Sequence, residues 1–380
     1  MIARAVPSGR LGAFYFFYFA YIGAFAPFFS LYLDAIGLTA FDIGVVMALP
    51  QITRIAAPHL WSWLADTIGR PVRVVRLTGV AGTLAFLAIF GGTAFALVFA
   101  TIFAMTFLWS AALPLMEATT LTHLGEETTR YGRIRVWGSI GFIVAVVGIG
   151  YVLDRVSLSA VPVLVLAMML GMLACAFLVP EARIVHHEGE TSVGRVLLKP
   201  QVMALIGAGA CMSAAHAPYY TFFSIHLVAQ GYSKSATGLL WALGVVCEVA
   251  IFAWMSRLFA AFALKRILIT SFALAVVRFL AIGWLVQSLA ALIAAQVLHA
   301  ATFGAFHAAS IGYVHRLFKG RLQARGQAVY GSISFGLGGA LGGLASGYAW
   351  DAWGAALTFT LAAAAALTGM LILMWRLEPR

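Results

Sequence analysis

The chain has 380 residues, of which 63% are hydrophobic and only 10% charged, with a formal net charge of +11. A soluble domain carries about 25% charged residues, so this composition excludes a fully water-facing protein and describes an integral membrane protein. The basic excess lies in short loops between apolar runs, where it orients a chain in a bilayer; that placement excludes nucleic acid as the partner.

A helix crosses a bilayer with about 20 mostly apolar residues. That measure predicts an all-α chain of twelve spans, near residues 11–33, 43–64, 74–92, 94–121, 134–153, 158–179, 201–226, 236–258, 264–286, 288–313, 326–349 and 354–375. Arg4 and Arg10 ahead of the first run resemble a secretory signal. The run from Leu11 to Leu33 is too long for a signal core, so it reads as a retained first helix. With a cytoplasmic N-terminus, most of the 24 Lys and Arg fall on the cytoplasmic side, in clusters such as Arg70, Arg73, Arg76 and Arg316, Lys319, Arg321, Arg325. Only Arg155 and Lys234 fall in loops on the opposite side, and this asymmetry predicts both termini inside. The polar stretch from Glu181 to Lys199 reads as a cytoplasmic linker between six-span bundles at 1–180 and 200–380. Cys175, Cys211 and Cys247 all lie in apolar runs and read as small packing residues.

The two halves repeat. Gly37-Leu38-Thr39 leads into a helix that reaches Arg54, and Gly231-Tyr232-Ser233 leads into one that reaches Glu248 at the same spacing. Trp137-Gly138-Ser139-Ile140 is echoed by Tyr330-Gly331-Ser332-Ile333, and Ala24-Phe25-Ala26-Pro27 by Ala215-His216-Ala217-Pro218. Repeated halves place a solute site near the midplane. A charge near the centre of a bilayer costs about 2.5–3.5 kcal/mol on insertion scales. Arg54 and Glu248, opposite in sign and matched by the repeat, therefore read as walls of a transport pathway.

These features resemble the major facilitator superfamily of transporters. Leu64-Ala65-Asp66-Thr67-Ile68-Gly69-Arg70 is similar to its conformational loop signature, with Ser62 at the usual leading glycine and Pro71 breaking the basic run. Phe16-Phe17-Tyr18-Phe19, Ala26-Pro27-Phe28-Phe29 and Tyr131-Gly132-Arg133-Ile134-Arg135 resemble the lactose permease branch. Within it, Arg135-x-Trp137-Gly138-Ser139, Ala215-His216-Ala217-x-Tyr219-Tyr220, Leu240-Trp241-x-Leu243-Gly244 through Glu248, and Val276-Val277-Arg278 look like the bacterial 3-phenylpropionate transporter group. The resemblance covers nearly the whole chain. It implies two pseudo-symmetric six-helix bundles, alternating access, a bacterial inner membrane and function as a monomer.

The lactose permease's substrate-binding glutamate and arginine fall on Glu117 and Arg135, its stacking tryptophan on Phe142 and its histidine on His299. Its proton-handling glutamate falls on Thr302, so a proton must use another group. Glu248 is the acid of the second half that lies well inside a span, and Arg278 in the next helix reads as its partner. Proton-coupling candidates are therefore Glu248, Arg278, Glu117 and His299. Arg54, Arg135 and Arg278 suit a carboxylate through their planar fork. His216, His299, Tyr219 and Trp241 complete the predicted substrate site, with His307, Phe25 and Tyr220 as further aromatic or imidazole candidates.

The expected function is proton-coupled uptake of a small organic solute such as an aromatic carboxylate. Alternatives are a sugar or nucleoside symporter and an efflux carrier. No cofactor or metal is expected beyond the proton. An enzyme is disfavoured, because no Gly-x-Ser-x-Gly or His-Glu-x-x-His motif appears, and a nucleotide-driven pump lacks its phosphate loop.

Overall fold

The computed structural model describes residues 6–182 and 194–377; both chain ends and residues 183–193 of the expected linker lie outside the described residues. Among the described residues no strand occurs, and 11 helical stretches have the length and hydropathy to cross a membrane. The first ten are α1 (Ser8–Ala35), α2 (Ala40–Ile68), α3 (Pro71–Gly91), α4 (Phe95–Leu124), α5 (Thr128–Leu153), α6 (Leu158–Leu178), α7 (Pro200–Ala229), α8 (Lys234–Ala261), α9 (Leu264–Trp284) and α10 (Leu289–Leu317). The last, Arg325–Arg376, has 52 residues. At 1.5 Å per residue it would be about 78 Å long, more than twice a hydrocarbon core about 30 Å thick. It breaks at Gly354, whose φ of 76° no helix contains. The parts are α11 (325–353) and α12 (355–376), so the twelve predicted spans are all present. Several helices run past their apolar stretch, because hydropathy marks only the part that lipid covers. Trp63, Leu84, Phe177, Trp254 and Leu341 are all exposed, a pattern that suits lipid and not water.

The chain divides into two compact units, one of Met1–Leu38 and Ala56–His187, the other of Thr39–Ile55 and Glu188–Arg380. In the first, α1 packs along α5 and α6. In the second, α7 packs along α11, and Gly283 of α9 meets Phe359 and Ala356 of α12. α1 and α7 are the most buried spans, each at 67%. Each carries an internal proline, Pro27 and Pro218. A spanning helix tolerates one where neighbours satisfy the freed backbone.

The sequence repeat is also a repeat of hydrogen bonds. α1 ends with Gly37 at φ 86° and α7 with Gly231 at φ 88°. Leu38 N–H then reaches back to Leu33 O at 3.2 Å, and Tyr232 N–H to Leu227 O at 3.1 Å. Both are the glycine-terminated cap that satisfies the last carbonyls of a helix. A second match was not legible as sequence. In the first unit Arg76 of α3 donates to Ala176 O and Val179 O at the end of α6. In the second, Lys265 of α9 donates to Met374 O and Leu377 O at the end of α12. Residue type differs and the job is the same: a cation on orphaned carbonyls.

The first half of α2 packs within the second unit because both partners lack side-chain bulk. A Cβ on Gly44 would lie 2.9 Å from Gly343 O and from the Gly347 Cα, and Gly343 in turn faces Ala48. On the neighbouring face of α11, Gly338 and Gly342 meet Ala210 and Ala214 of α7. The glycines of α11 thus form two stripes that let two helices approach closely. At the end of this seam Asp351 accepts from the N–H groups of Ala40 and Phe41, at 3.2 and 2.8 Å. Thr39 and Asp42 cap the same turn reciprocally. Asp351→Ala is expected to weaken that turn by about 1 kcal/mol, seen as roughly 5-fold faster amide exchange in a peptide spanning residues 39–44. Unchanged exchange would remove this role from Asp351.

Candidate functional site

Each unit holds one polar cluster. In the first, Pro114 lacks the N–H that would bond Ser110 O and crowds that carbonyl. α4 accordingly breaks between Trp109 and Ala112, and Ser110 Oγ turns to Phe107 O at 2.7 Å. Glu117 lies one turn beyond the break. Tyr131 and Arg135 sit four residues apart on one face of α5. Tyr131 donates to Glu117 Oε1 at 3.1 Å, and Arg135 Nε lies 3.6 Å from the same oxygen. The Arg135 guanidinium stacks 4.0 Å above the Phe19 ring. Gly138 leaves room for both, since a Cβ there would lie 2.7 Å from Phe19. Glu117 and Arg135 remain about one-third exposed, so the pair is wet and exchangeable. Phe142 is buried further along α5, where its backbone meets Gly23 of α1. Phe25 is buried in a ring stack with Tyr21 and Phe29.

The loop residues Asp66, Gly69 and Arg70 lie at the end of α2 and the start of α3. Gly69, at φ 67°, ends α2 with its N–H on Ala65 O. Arg70, at φ −140° and ψ 78°, stays out of the helical region that the following proline disfavours, and leads into α3. Asp66 stands one turn before the end of α2.

The second unit holds the denser cluster. Arg278 has no solvent exposure. Its Nε donates to Ala295 O at 3.0 Å, and its Nη1 lies 3.2 Å from His216 Nε2 and 3.3 Å from Thr302 Oγ1. Its guanidinium lies 4.3 Å above the Tyr219 ring. His216 Nδ1 is 2.9 Å from Met212 O. A carbonyl only accepts, so Nδ1 carries the proton and Nε2 accepts from Arg278. Tyr219 donates to Gln296 Oε1 at 2.9 Å, and Trp241 Nε1 to Ser224 Oγ at 3.0 Å. The rings of Tyr219 and Trp241 lie 4.5 Å apart.

None of the partners of Arg278 is Glu248. That carboxylate lies 3.7 Å from His299 Nε2, so the expected Glu248–Arg278 pair is replaced by one with the histidine. From His299 a stack runs through Phe303 at 5.3 Å, His307 at 6.3 Å and Phe335 at 5.7 Å. Arg54 lies over the far side, 5.5 Å from the Phe335 ring. The two charges matched by the repeat thus stand at opposite ends of one ladder of rings. Both α10 and α11 widen into π-helix beside it, at Ala300–Ala305 and Gly331–Leu337. Such turns are rare and concentrate at functional sites.

Among the described residues, three buried polar atoms of this cluster lack a hydrogen-bond partner: Arg278 Nη2, Gln296 Nε2 and His299 Nδ1. A buried unsatisfied polar group costs about 1–3 kcal/mol, and three in one cluster mark a place prepared for a polar guest. Sequence reasoning passed over Gln296, Tyr131, Phe303 and Phe335. Gln296 carried a signal, an amide between Ala295 and Val297 within a span. Phe335 carried one as well, as the repeat partner of Phe142; Phe303 carried none, since 28 phenylalanines are spread along the chain.

Comparison with known proteins agrees with this architecture. Residues 9–361 match the MFS_1 like family. The chain is 31% identical over 329 residues to a protein of Escherichia coli (strain K12) described as a probable 3-phenylpropionic acid transporter, covering 85% of this chain and 86% of that one. It is 26% identical to a maltose permease of Geobacillus stearothermophilus, over 95% of this chain and 92% of the permease. The crystal structure of the nucleoside transporter NupG superposes with a TM-score of 0.85 at 15% identity, covering 100% of both chains. Twelve spans, repeated halves and a match over most of the length lead to one conclusion: the chain belongs to the MFS_1-like family and is a multi-pass membrane transporter, not an enzyme.

Proposed function

We propose that the protein imports a small organic anion together with a proton, by alternating access in a bacterial inner membrane, and that an aromatic carboxylate is its solute class. One observation carries the reading. Arg278 is fully buried and its hydrogen-bond partners are a carbonyl, a neutral histidine and a hydroxyl. Burying a charge without a counter-charge is expensive, and Arg278 Nη2 remains available for a carboxylate, with Gln296 Nε2 and His299 Nδ1 beside it. Tyr219, Trp241 and Phe303 supply ring faces for the aromatic part. Glu248 and His299 exchange the proton. Similarity to a probable 3-phenylpropionic acid transporter supports the solute class. The assay is uptake of radiolabelled 3-phenylpropionate into proteoliposomes with an acidic exterior. Saturable accumulation supports the proposal; accumulation of maltose or a nucleoside in its place overturns the solute class.

Glu117 and Arg135 form a second polar cluster, within the first unit, that the solute also meets in the course of transport. Arg135→Ala is expected to raise the solute concentration for half-maximal uptake about tenfold, the worth of one stacked, partly exposed cation and its ion pair. Arg135→Lys should not restore it, because an ammonium lacks the plane that stacks on Phe19. Unchanged affinity in both variants removes Arg135 from the site.

A further inference from the structure

Two cavities lie on the seam between α1 and α5, apart from the Glu117–Arg135 cluster. One, of about 260 Å³, is lined by Ser8, Gly9, Arg130, Arg133, Ile134 and Trp137. The other, of about 240 Å³, is lined by residues that include Phe16, Phe17, Gly141, Val144 and Gly148. They are stacked along the same seam. Gly12 of α1 lies against the Trp137 ring, and Phe16 lies against Gly141 one level further on. Gly141 is eight residues past Arg133, about 12 Å along the helix, and Gly148 about 22 Å. Those depths reach from a headgroup to about the middle of a core about 30 Å thick.

The two ends differ in chemistry. Arg130 and Arg133 are exposed at the first end. Arg130 pairs with Glu127 and lies 3.5 Å from Ser8 Oγ, and Arg133 adds a second positive charge. The deeper cavity is walled by aliphatic and aromatic side chains and by Gly148, where an added Cβ would meet nothing within 4 Å. Val144 is 54% exposed, so this wall opens toward lipid. A cationic pocket at one end of the seam and an apolar one further along it fit an amphiphile with an anionic head. Basic pockets between spanning helices recognise anionic lipid headgroups in this way. A free anion would use the arginines alone and leave the cleft without a purpose.

We propose that the α1–α5 seam binds one anionic phospholipid, its phosphate at Arg130 and Arg133 and an acyl chain along Phe16, Gly141, Val144 and Gly148. This site is independent of the solute and of the direction of transport. The test is native mass spectrometry of the full chain released from nanodiscs with equal phosphatidylglycerol and phosphatidylcholine. Wild type should retain phosphatidylglycerol preferentially. The double variant Arg130→Gln, Arg133→Gln should lower that preference about 30-fold, from about a fivefold effect for each cation at an anionic surface. Gly148→Phe places a ring in the cleft and should lower retention of both lipids with the arginines intact; it decides the matter if the double variant does not insert. Equal retention of the two lipids by wild type overturns the proposal. So does an undiminished preference in the double variant, or complete displacement of phosphatidylglycerol by inorganic phosphate, which would make the site a simple anion site.

Discussion

Arg278→Gln is expected to abolish high-affinity solute binding, with a loss of at least about 30-fold, while the protein still folds and inserts. Arg278 has no exposed surface and no carboxylate among its hydrogen-bond partners, so its charge is compensated only when an anion arrives. Truncating one member of a buried, hydrogen-bonded charge pair costs about 2–5 kcal/mol, which sets the lower bound. Glutamine is chosen because its amide can still donate toward Ala295 O, keeping the contact between α9 and α10. Arg278→Lys should recover little of the loss. Its ammonium cannot fill the sites of Nε, Nη1 and Nη2 together, and it does not stack on the Tyr219 ring. Isothermal titration with 3-phenylpropionate, beside thermal unfolding of the same samples, separates lost binding from lost structure. A stable Arg278→Gln protein with wild-type affinity would sink the anion assignment.

The sequence made most of the fold legible because the bilayer simplifies the problem. Apolar runs of one length, basic loops of alternating content and two glycine turns were enough to count spans and find the repeat. The break at Gly354 falls at the edge of the gap expected between the spans 326–349 and 354–375, where Asp351 interrupts the apolar pattern. The first half of α2 packing within the second unit was not legible. That depends on Gly44 meeting Gly343 and Gly347, and small residues recur at such spacings throughout the chain. The site was half legible. Arg278, Glu248, His216 and His299 announce themselves as polar groups in apolar surroundings. Their pairing does not follow from identity. Opposite charges on adjacent helices suggested Glu248 with Arg278, but the rotation of each helix and the π-turn at Ala300–Ala305 decide which atoms meet. Gly304 illustrates the point: a Cβ there would lie 3.3 Å from Glu248 Cγ. The bare glycine lets α8 come close enough to α10 for Glu248 to reach His299.

Glu248→Gln is expected to uncouple the protein: counterflow of labelled solute continues near the wild-type rate, and accumulation driven by a pH gradient disappears. Glu248 is a partly buried acid of the second unit, in contact with an imidazole that also faces the unsatisfied donors. With the carboxylate ionised, it holds a proton on His299 Nε2. If the imidazole takes a second proton at Nδ1, that nitrogen becomes a donor toward an anion beside Arg278. One proton gained at the Glu248–His299 pair thus strengthens anion binding from the same side, and its loss on the other side weakens it. Such differential affinity between two states is what couples one movement to the other. Glutamine is nearly isosteric and keeps a carbonyl oxygen for His299 Nε2, so binding and exchange survive, but it gives the imidazole no negative charge to offset a second proton; the pair then no longer gains and loses one, and the solute only equilibrates. The two assays run on one preparation of proteoliposomes, so a dead protein and an uncoupled one are distinguishable. His299→Gln serves as the companion variant and should lose accumulation and a part of the affinity, because it removes the donor as well as the proton. A Glu248→Gln protein that still concentrates solute against a gradient would refute the assignment and move the proton to Glu117, the acid that shares its oxygen with Tyr131 and Arg135 in the first unit.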